Sequence, residues 1–201
     1  VVLNCSRATL VADGNDTAVI TAKITDIYGN VVVAAADPVT FSITGPGTWM
    51  DNTLTPKLYP LTNGIATIQV KSGKIASVIT IRCAASGLTS GTTDLITIPG
   101  SAAKVTVLNL GNGSIQADGV DQTGIAAYVK DSNDNTCTNE TRDITLVLDR
   151  YGLIITTNGT CTSSITVTAV NGAVPGLKIS SVTKTGIITL TATAPGLAGA
   201  S

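Results

Sequence analysis

The sequence contains no histidine and one glutamate, Glu140, among its 201 residues. Since histidine and glutamate are common general bases, acid–base catalysis would have to rely on the twelve aspartates. Most of these aspartates lie in turn-rich stretches, where a carboxylate commonly accepts backbone hydrogen bonds. The chain also has no nucleophile elbow, phosphate-binding loop or dinucleotide fingerprint. The sequence therefore predicts a protein that is not an enzyme.

Charged residues and long apolar runs are also scarce. The twelve basic and thirteen acidic residues are scattered, so no basic stripe is available to neutralise a run of phosphates. This pattern argues against a nucleic-acid partner. No apolar stretch reaches about 18 residues, so no membrane span is expected in this segment.

Residues that favour β-strands are abundant. The chain has 33 threonines and many valines and isoleucines, whereas strong helix formers such as glutamate and methionine are nearly absent. Apolar residues at 18, 20, 22 and 24 alternate with less apolar ones, which is the pattern of a strand with one buried face. Residues 144, 146 and 148 repeat that pattern in the second half of the chain. The fold class is predicted to be all-β.

A repeat with a shift of 105 residues organises the chain. Residues 12–16 (ADGND) return as 117–121 (ADGVD), and the turn at 26–30 returns at 131–135. About seven short strands in each copy, separated by turn residues, are typical of an immunoglobulin-like sandwich. We therefore predict two tandem sandwiches, residues 1–100 and residues 101–201.

The second copy ends earlier than the first. The first continues past Leu88 into a final strand, Thr92–Ile98, whereas the second reaches the matching Leu197 and ends at Ser201. The second sandwich is therefore expected to lack its last strand. Either a longer chain was cut here, or a neighbouring copy supplies the strand by β-augmentation, because an open sheet edge is normally covered.

Four cysteines without histidine or zinc-ligand spacing fit disulfides better than a metal site. Cys5 and Cys83 are both absent from the second copy and lie on inward-facing strand positions, so they are predicted to pair. Cys137 and Cys161 would then pair with each other. The alternative is four free thiols buried as small apolar side chains.

A small polar cluster is the best metal candidate. Asp131, Asn133 and Asn135 offer closely spaced oxygens that would suit calcium, although the glycine and distant glutamate of a helix-loop-helix calcium site are missing. The matching residues 26–30 in the first copy are typical of a tight turn, which is the alternative interpretation here. No other cofactor is expected.

Several features point outside the cell. Each of five asparagines has Ser or Thr two positions later and is a glycosylation candidate: Asn4, Asn15, Asn112, Asn139 and Asn158. The chain begins without methionine or a leader, so we expect a mature or excised segment of an extracellular, cell-surface protein.

Residues 10–18, 20–26, 39–42 and 63–68 together resemble the bacterial Ig-like domains of the invasin and intimin type. The second copy matches this family less completely, because it lacks the usual Gly-Asn at the turn and carries an insertion before Asn171. The resemblance implies a rigid extracellular rod module without a cofactor.

The expected function is that of a non-enzymatic structural module: an adhesin stalk repeat, or a subunit of a surface layer or filament. Its expected partners are other copies of itself or adjacent Ig-like repeats, with a surface glycan or host receptor engaged through parts outside this segment. The alternative is an accessory, carbohydrate-binding module of a secreted glycoside hydrolase. Trp49 and Tyr59 could form its sugar platform, or they could simply cover the edge of the sandwich.

Overall fold

A computed structural model describes residues 1–155 and 159–201 of the chain. The described residues form seventeen strands and no helix, which confirms the all-β prediction. They form two compact units, Val1–Pro99 and Gly100–Ser201. In the described ranges, no helix of the length and apolar character of a membrane span occurs.

The first unit is a sandwich of two sheets. Its strands are β1 (Val2–Cys5), β2 (Thr9–Val11), β3 (Thr17–Lys23), β4 (Val39–Thr44), β5 (Thr48–Trp49), β6 (Lys57–Tyr59), β7 (Ile65–Lys71), β8 (Val78–Ala84) and β9 (Gly91–Ile98). One sheet has the order β1-β3-β7-β5 and the other β2-β9-β8-β4-β6. All pairs are antiparallel except β2 with β9, which run parallel.

The core of the first unit follows from the alternation in its strands. On β3, the side chains of Ala18, Ile20 and Ala22 are buried between the sheets, and the residues between them are more exposed. Phe41 of β4 and Trp49 of β5 are the largest fully buried side chains of this core. Each such side chain stabilises the fold by about 1.5–3 kcal/mol relative to an exposed one.

The second unit also has two sheets, but they are unequal. Its strands are β10 (Lys104–Asn109), β11 (Gln122–Lys130), β12 (Arg142–Leu148), β13 (Gly152–Ile155), β14 (Cys161–Thr162), β15 (Ser164–Ala169), β16 (Ala173–Ser181) and β17 (Leu190–Thr193). The larger sheet has the order β10-β11-β16-β13-β14, and the smaller one β15-β12-β17. A β-bulge between Ile125 and Ala127 shifts the register of β11 against β16.

Tight hairpin turns occupy equivalent positions in the two units. In the first, Thr62 and Ile65 exchange backbone hydrogen bonds of 2.9 and 3.0 Å around Asn63-Gly64. Asn63 has φ 52° and Gly64 has φ 74°, as a two-residue hairpin of the Asn-Gly type requires. Asn171-Gly172 adopts the same conformation in the second unit.

The last strand of the first unit has no full counterpart in the second. β9 pairs with β8 over six residues of the five-stranded sheet. Within the described part of the second unit, β17 pairs with β12 on one side and on the other side only with Ala200, through Ala192. The three-stranded sheet therefore has an open edge at β17.

Candidate functional site

A surface groove of about 430 Å³ in the first unit is the strongest candidate site. We call it the Tyr59 groove. Its lining residues are Val19, Trp49, Met50, Asp51, Lys57, Tyr59, Thr67, Ile68 and Gln69. They come from β3, β5, β6 and β7 and from the turn after β5. The groove therefore lies where the edge strand of one sheet faces the edge strand of the other.

The groove exists because β5 is only two residues long and pairs with Val70 and Lys71 alone. Just beyond the ends of β3 and β7, Ile24 N–H donates to Gly64 O at 2.9 Å. Because the direction of backbone hydrogen bonds alternates along an antiparallel strand, the even-numbered residues of β7 hydrogen-bond to β3. The backbone groups of Thr67 and Gln69 therefore point the other way, towards the groove. The floor of the groove is thus a short stretch of sheet edge.

The aromatic wall of the groove belongs to the core. Phe41 meets Trp49 and Tyr59 edge to face, with ring centroids 6.5 and 5.8 Å apart. The side chain of Trp49 is 2% exposed, and its indole N–H donates to Thr55 O at 2.9 Å. A buried indole has no free face on which a sugar ring could stack. Trp49 therefore covers the sandwich edge, and only the half-buried Tyr59 offers an aromatic surface.

Opposite charges occupy the rim of the groove. Lys57 Nζ donates to Asp51 Oδ2, and Thr53 Oγ1 donates to Asp51 Oδ1 at 2.7 Å. These hydrogen bonds, that from Lys57 first, lower the pKa of Asp51 to about 2. The Gln69 side chain is exposed beside this pair. The groove therefore offers a carboxylate, an ammonium and an amide, groups that can hydrogen-bond neutral hydroxyls.

The calcium candidates lie in one turn of the second unit. Asp131 Oδ1 accepts the N–H groups of Asn133 and Asn135, both at 2.9 Å. Its Oδ2 accepts the side-chain amide of Asn135 and the N–H of Gly100, also at 2.9 Å. The carboxylate is thus surrounded by N–H donors. It holds the turn in place and ties Gly100, at the start of the unit, to that turn. Among the described residues, no group of three or more His, Cys, Asp or Glu side chains could hold a metal ion.

The electrostatics of Asp131 fit this anchoring role. The residue is 1% exposed, and burial raises the pKa of its carboxyl. The hydrogen bonds that it accepts, first that of the Asn135 side chain, outweigh burial, so the pKa lies below its ordinary value. Asp131 is therefore a buried carboxylate that stays ionised. Calcium binding at these residues remains a prediction.

The first predicted disulfide, between Cys5 and Cys83, is not formed in the structure. All four cysteines lie in the described ranges, and all are free thiols. Cys5 on β1 faces Thr93 of β9, with Sγ and Oγ1 3.4 Å apart. Thr93 is the ladder partner of Ile81, so Cys5 is offset from the fully buried Cys83 of β8. Both cysteines contribute to the same core, and the structure holds them as two free thiols.

The second predicted disulfide, between Cys137 and Cys161, is not formed either. Cys137 is buried, and its backbone N–H donates to Val129 O near the end of β11. Cys161 is exposed on β14, which reaches β11 only through β13 and β16. Its partner Ile155 pairs with Lys178, which in turn pairs with Gly124 of β11. Five residues along a strand span about 17 Å, which is far more than a disulfide can bridge.

The glycosylation candidates lie at the surface wherever the structure describes them. Asn4, Asn15, Asn112 and Asn139 are all exposed. Asn158 lies outside the described residues. Exposure permits modification of the four described asparagines, and glycosylation at these residues remains a prediction.

Sequence reasoning missed the polar rim of the Tyr59 groove. Asp51 lies in the turn after β5 and Lys57 is the first residue of β6, so their ion pair depends on how the chain between these two strands folds back. Gln69 is an outward position of an alternating strand, and such a position is ordinarily solvent-facing. The sequence offered one signal for the groove. The apolar run at Trp49 is short, so a strand at that place can pair with only part of β7.

One protein-family model matches part of the chain. It is described as the glycoside hydrolase family 2 C-terminal domain 5, and it matches residues 1–94. The match thus lies within the first unit and covers most of its strands. No curated protein matches the chain.

Similar solved structures include both glycoside hydrolases and bacterial adhesins. A beta-glycosidase from Bacteroides vulgatus is 15% identical, with a TM-score of 0.45, over 99% of this chain and 24% of that one. Invasin, a bacterial integrin-binding protein, is 19% identical, with a TM-score of 0.43, over 98% of this chain and 36% of that one. The Yersinia pseudotuberculosis adhesin InvE is also 19% identical, with a TM-score of 0.43, over 98% of this chain and 56% of that one. The chain spans about a quarter of the length of the beta-glycosidase.

Proposed function

We propose that this chain is a non-catalytic accessory module of a secreted glycoside hydrolase of the family 2 type. The observation that carries this proposal is the match of residues 1–94 to a C-terminal domain of that family. Accessory domains of such enzymes typically support a separate catalytic domain. The composition agrees with this role, since the chain has no histidine and a single glutamate.

Within this role, the Tyr59 groove contacts carbohydrate. Sugar hydroxyls are neutral donors and acceptors, and they fit the mixed charges of Asp51 and Lys57 and the amide of Gln69. Tyr59 supplies the apolar contact that the C–H groups of a sugar need. Because Trp49 is buried, this contact depends on hydrogen bonds more than on stacking, so the binding is expected to be weak.

Affinity electrophoresis through gels that contain soluble polysaccharides tests the proposal. The purified chain is expected to be retarded by at least one polysaccharide, and the variant Gln69→Ala is expected to lose most of that retardation. Gln122→Ala, an exposed glutamine at the start of β11, is the matched control and is expected to migrate like the parent chain.

Two results would contradict the proposal. Hydrolysis of chromogenic glycosides by the purified chain would show that it is catalytic. Equal retardation of the Gln69→Ala variant and the parent chain, or no retardation by any polysaccharide, would remove the groove as a carbohydrate contact.

A second candidate function is a structural module of a cell-surface protein, such as an adhesin stalk, a surface layer or a filament. The tandem copies in one chain favour it, because repeated sandwiches are a common way to build length. Its partners would be other copies or adjacent Ig-like repeats. Electron microscopy and light scattering over a range of concentrations test the filament form, which a monomer at every concentration would exclude. Under both proposals the protein acts outside the cell.

A further inference from the structure

The Tyr59 groove contains polar backbone groups that the described residues leave without a partner. At one end of the β3–β7 ladder, Ser72 N–H donates to Asp16 O at 2.8 Å, in the same phase as the bond at the other end. Both ends therefore show that the even-numbered residues of β7 bond to β3. Thr67 and Gln69 direct their N–H and C=O groups into the groove, where no described residue forms a hydrogen bond with them.

This free stretch of β7 is short and closed at both ends. At one end Ile65 exchanges hydrogen bonds of 2.9 and 3.0 Å with Thr62, and at the other end Lys71 pairs with Thr48 of β5. The two free positions between them are two residues apart, which is about 7 Å along a strand. An added peptide strand would therefore bond at two positions only, which is too few for stable pairing. The stretch instead suits a ligand that carries a single amide.

The opposite wall of the groove carries a second group that is free to bind. Tyr59 lies on β6, in the other sheet, and its ring is held edge to face against Phe41 with centroids 5.8 Å apart. Its hydroxyl has no hydrogen-bond partner among the described residues, and it is accessible to solvent. Asp51 and Lys57, by contrast, bond to each other at the rim. A rigidly held ring therefore presents an unused hydroxyl to the groove.

These two sets of groups complement a secondary amide. A trans amide carries its N–H and its C=O on opposite sides, so one amide can bond to both walls of a groove at once. The acetamido group of a sugar is such an amide, and it ends in a methyl group. Met50, which lines the groove and is 49% exposed, offers that methyl an apolar surface. A hydroxyl at the same carbon has one oxygen and no methyl group, so it makes fewer of these contacts.

We propose that the Tyr59 groove selects oligosaccharides whose sugars carry an acetamido group, as N-acetylhexosamines do. This inference rests on the proposed carbohydrate contact of the groove and names the class of sugar. The acetamido C=O accepts the backbone N–H of Thr67 or Gln69, and the acetamido N–H donates to the Tyr59 hydroxyl. The methyl group lies against Met50, and the ion pair at the rim bonds to the ring hydroxyls.

Titration of the full chain with two matched tetramers, followed by NMR of its backbone amides, tests this proposal. One tetramer is β-1,4-linked N-acetylglucosamine and the other is β-1,4-linked glucose, so they differ only in the acetamido group or hydroxyl at carbon 2. We expect the acetamido tetramer to bind at least about tenfold more tightly, as one or two additional hydrogen bonds would give. We also expect it to slow hydrogen exchange of the Thr67 or Gln69 amide, which the glucose tetramer should leave unchanged.

A conservative variant locates the binding. Tyr59→Phe removes the hydroxyl and keeps the ring against Phe41, so the preference for the acetamido tetramer is expected to fall to about threefold or less. Tyr28→Phe is the matched control, because Tyr28 is 83% exposed in the turn at 26–30 and does not line the groove. It is expected to keep the full preference. If Tyr59→Phe does not fold, the comparison of the two tetramers on the parent chain still decides the question.

Three outcomes would overturn the inference. Equal affinity for the two tetramers, or binding of another polysaccharide but of neither tetramer, would overturn it and leave the proposed carbohydrate contact intact. An unchanged preference in a folded Tyr59→Phe variant would remove the bridging amide. Protection of the Thr67 and Gln69 amides by a blocked pentapeptide of alternating threonine and valine, and by neither tetramer, would make an added peptide strand the occupant. The proposed carbohydrate contact itself fails only if no saccharide binds.

Discussion

The two units are copies of one sequence pattern, yet they differ in how completely one sheet is built. In the first, β9 adds a fourth strand beside β8 and lets residues 9–11 pair as a fifth. In the second, the matching sheet has three strands, and residues 114–116 remain outside any strand. β2 lies at the edge of its sheet and pairs with β9, so its pairing depends on that strand.

The turns at 26–30 and 131–135 extend the comparison. Asp26 and Asp131 each accept two backbone N–H groups and one asparagine side chain in the same pattern. Asp131 accepts one hydrogen bond more, from Gly100, and it is buried, whereas Asp26 is exposed. The same turn is therefore expected to contribute more to the stability of the second unit than to that of the first.

The largest expected effect concerns the strand that only the first unit has in full. Replacing the fully buried Leu95 with alanine should destabilise the first unit by about 2–5 kcal/mol, because it leaves a cavity under β9. The second unit should be unaffected. Urea unfolding followed by hydrogen exchange in each unit measures both. Ile96→Ala, at an outward position that is 51% exposed, is the matched control, and an equal loss there would contradict the role of Leu95.

A smaller effect is expected at the shared turn. Asp131→Ala should cost the second unit about 1–3 kcal/mol, because it leaves N–H groups of Gly100, Asn133 and Asn135 without their acceptor. Asp26→Ala should cost the first unit less, since water can replace its exposed carboxylate. Urea denaturation of both variants measures the difference, and equal losses would show that burial does not separate the two turns.

The pH dependence of the second unit should sharpen the same comparison. The pKa of Asp131 is lowered in the folded chain, so its stabilising contribution is present above the pKa of the unfolded chain. That contribution is lost as the pH falls through the folded value. Denaturation midpoints from about pH 5 to about pH 2 should therefore fall more steeply for the parent chain than for Asp131→Asn. Identical slopes would contradict this assignment.

The last prediction concerns thiol reactivity, without a change in stability. Burial raises the pKa of Cys83 to about 11, so this thiol should resist alkylation in the native chain. The exposed Cys161 of the second unit should react readily. Mass spectrometry after iodoacetamide treatment measures both. In denaturant without reductant all four cysteines should react, and a lower number would indicate a disulfide.

Much of the fold could be predicted because alternation reports local structure. The patterns at 18–24 and 144–148 mark β3 and β12, and the Asn-Gly pair at 63–64 marks a hairpin. These signals depend on neighbours in sequence, and the repeat made each one visible twice. The open edge at β17 agrees with the expectation that the second sandwich lacks a full last strand.

Contacts between sheets could not be predicted in this way. Alternation shows that Cys5 and Cys83 face inward, but it does not show that Thr93 lies against Cys5. The Tyr59 groove depends on the length of β5 and on a loop that brings Lys57 to Asp51. Such features arise from packing between distant segments, and no pattern within one strand reports them.

The burial of Trp49 has a practical consequence. It is the single tryptophan of the chain, and it lies in the core of the first unit, whereas the second unit has none. Its fluorescence emission should therefore shift to longer wavelength only when the first unit unfolds. The chain thus carries a built-in optical probe that distinguishes the melting of one sandwich from that of the other.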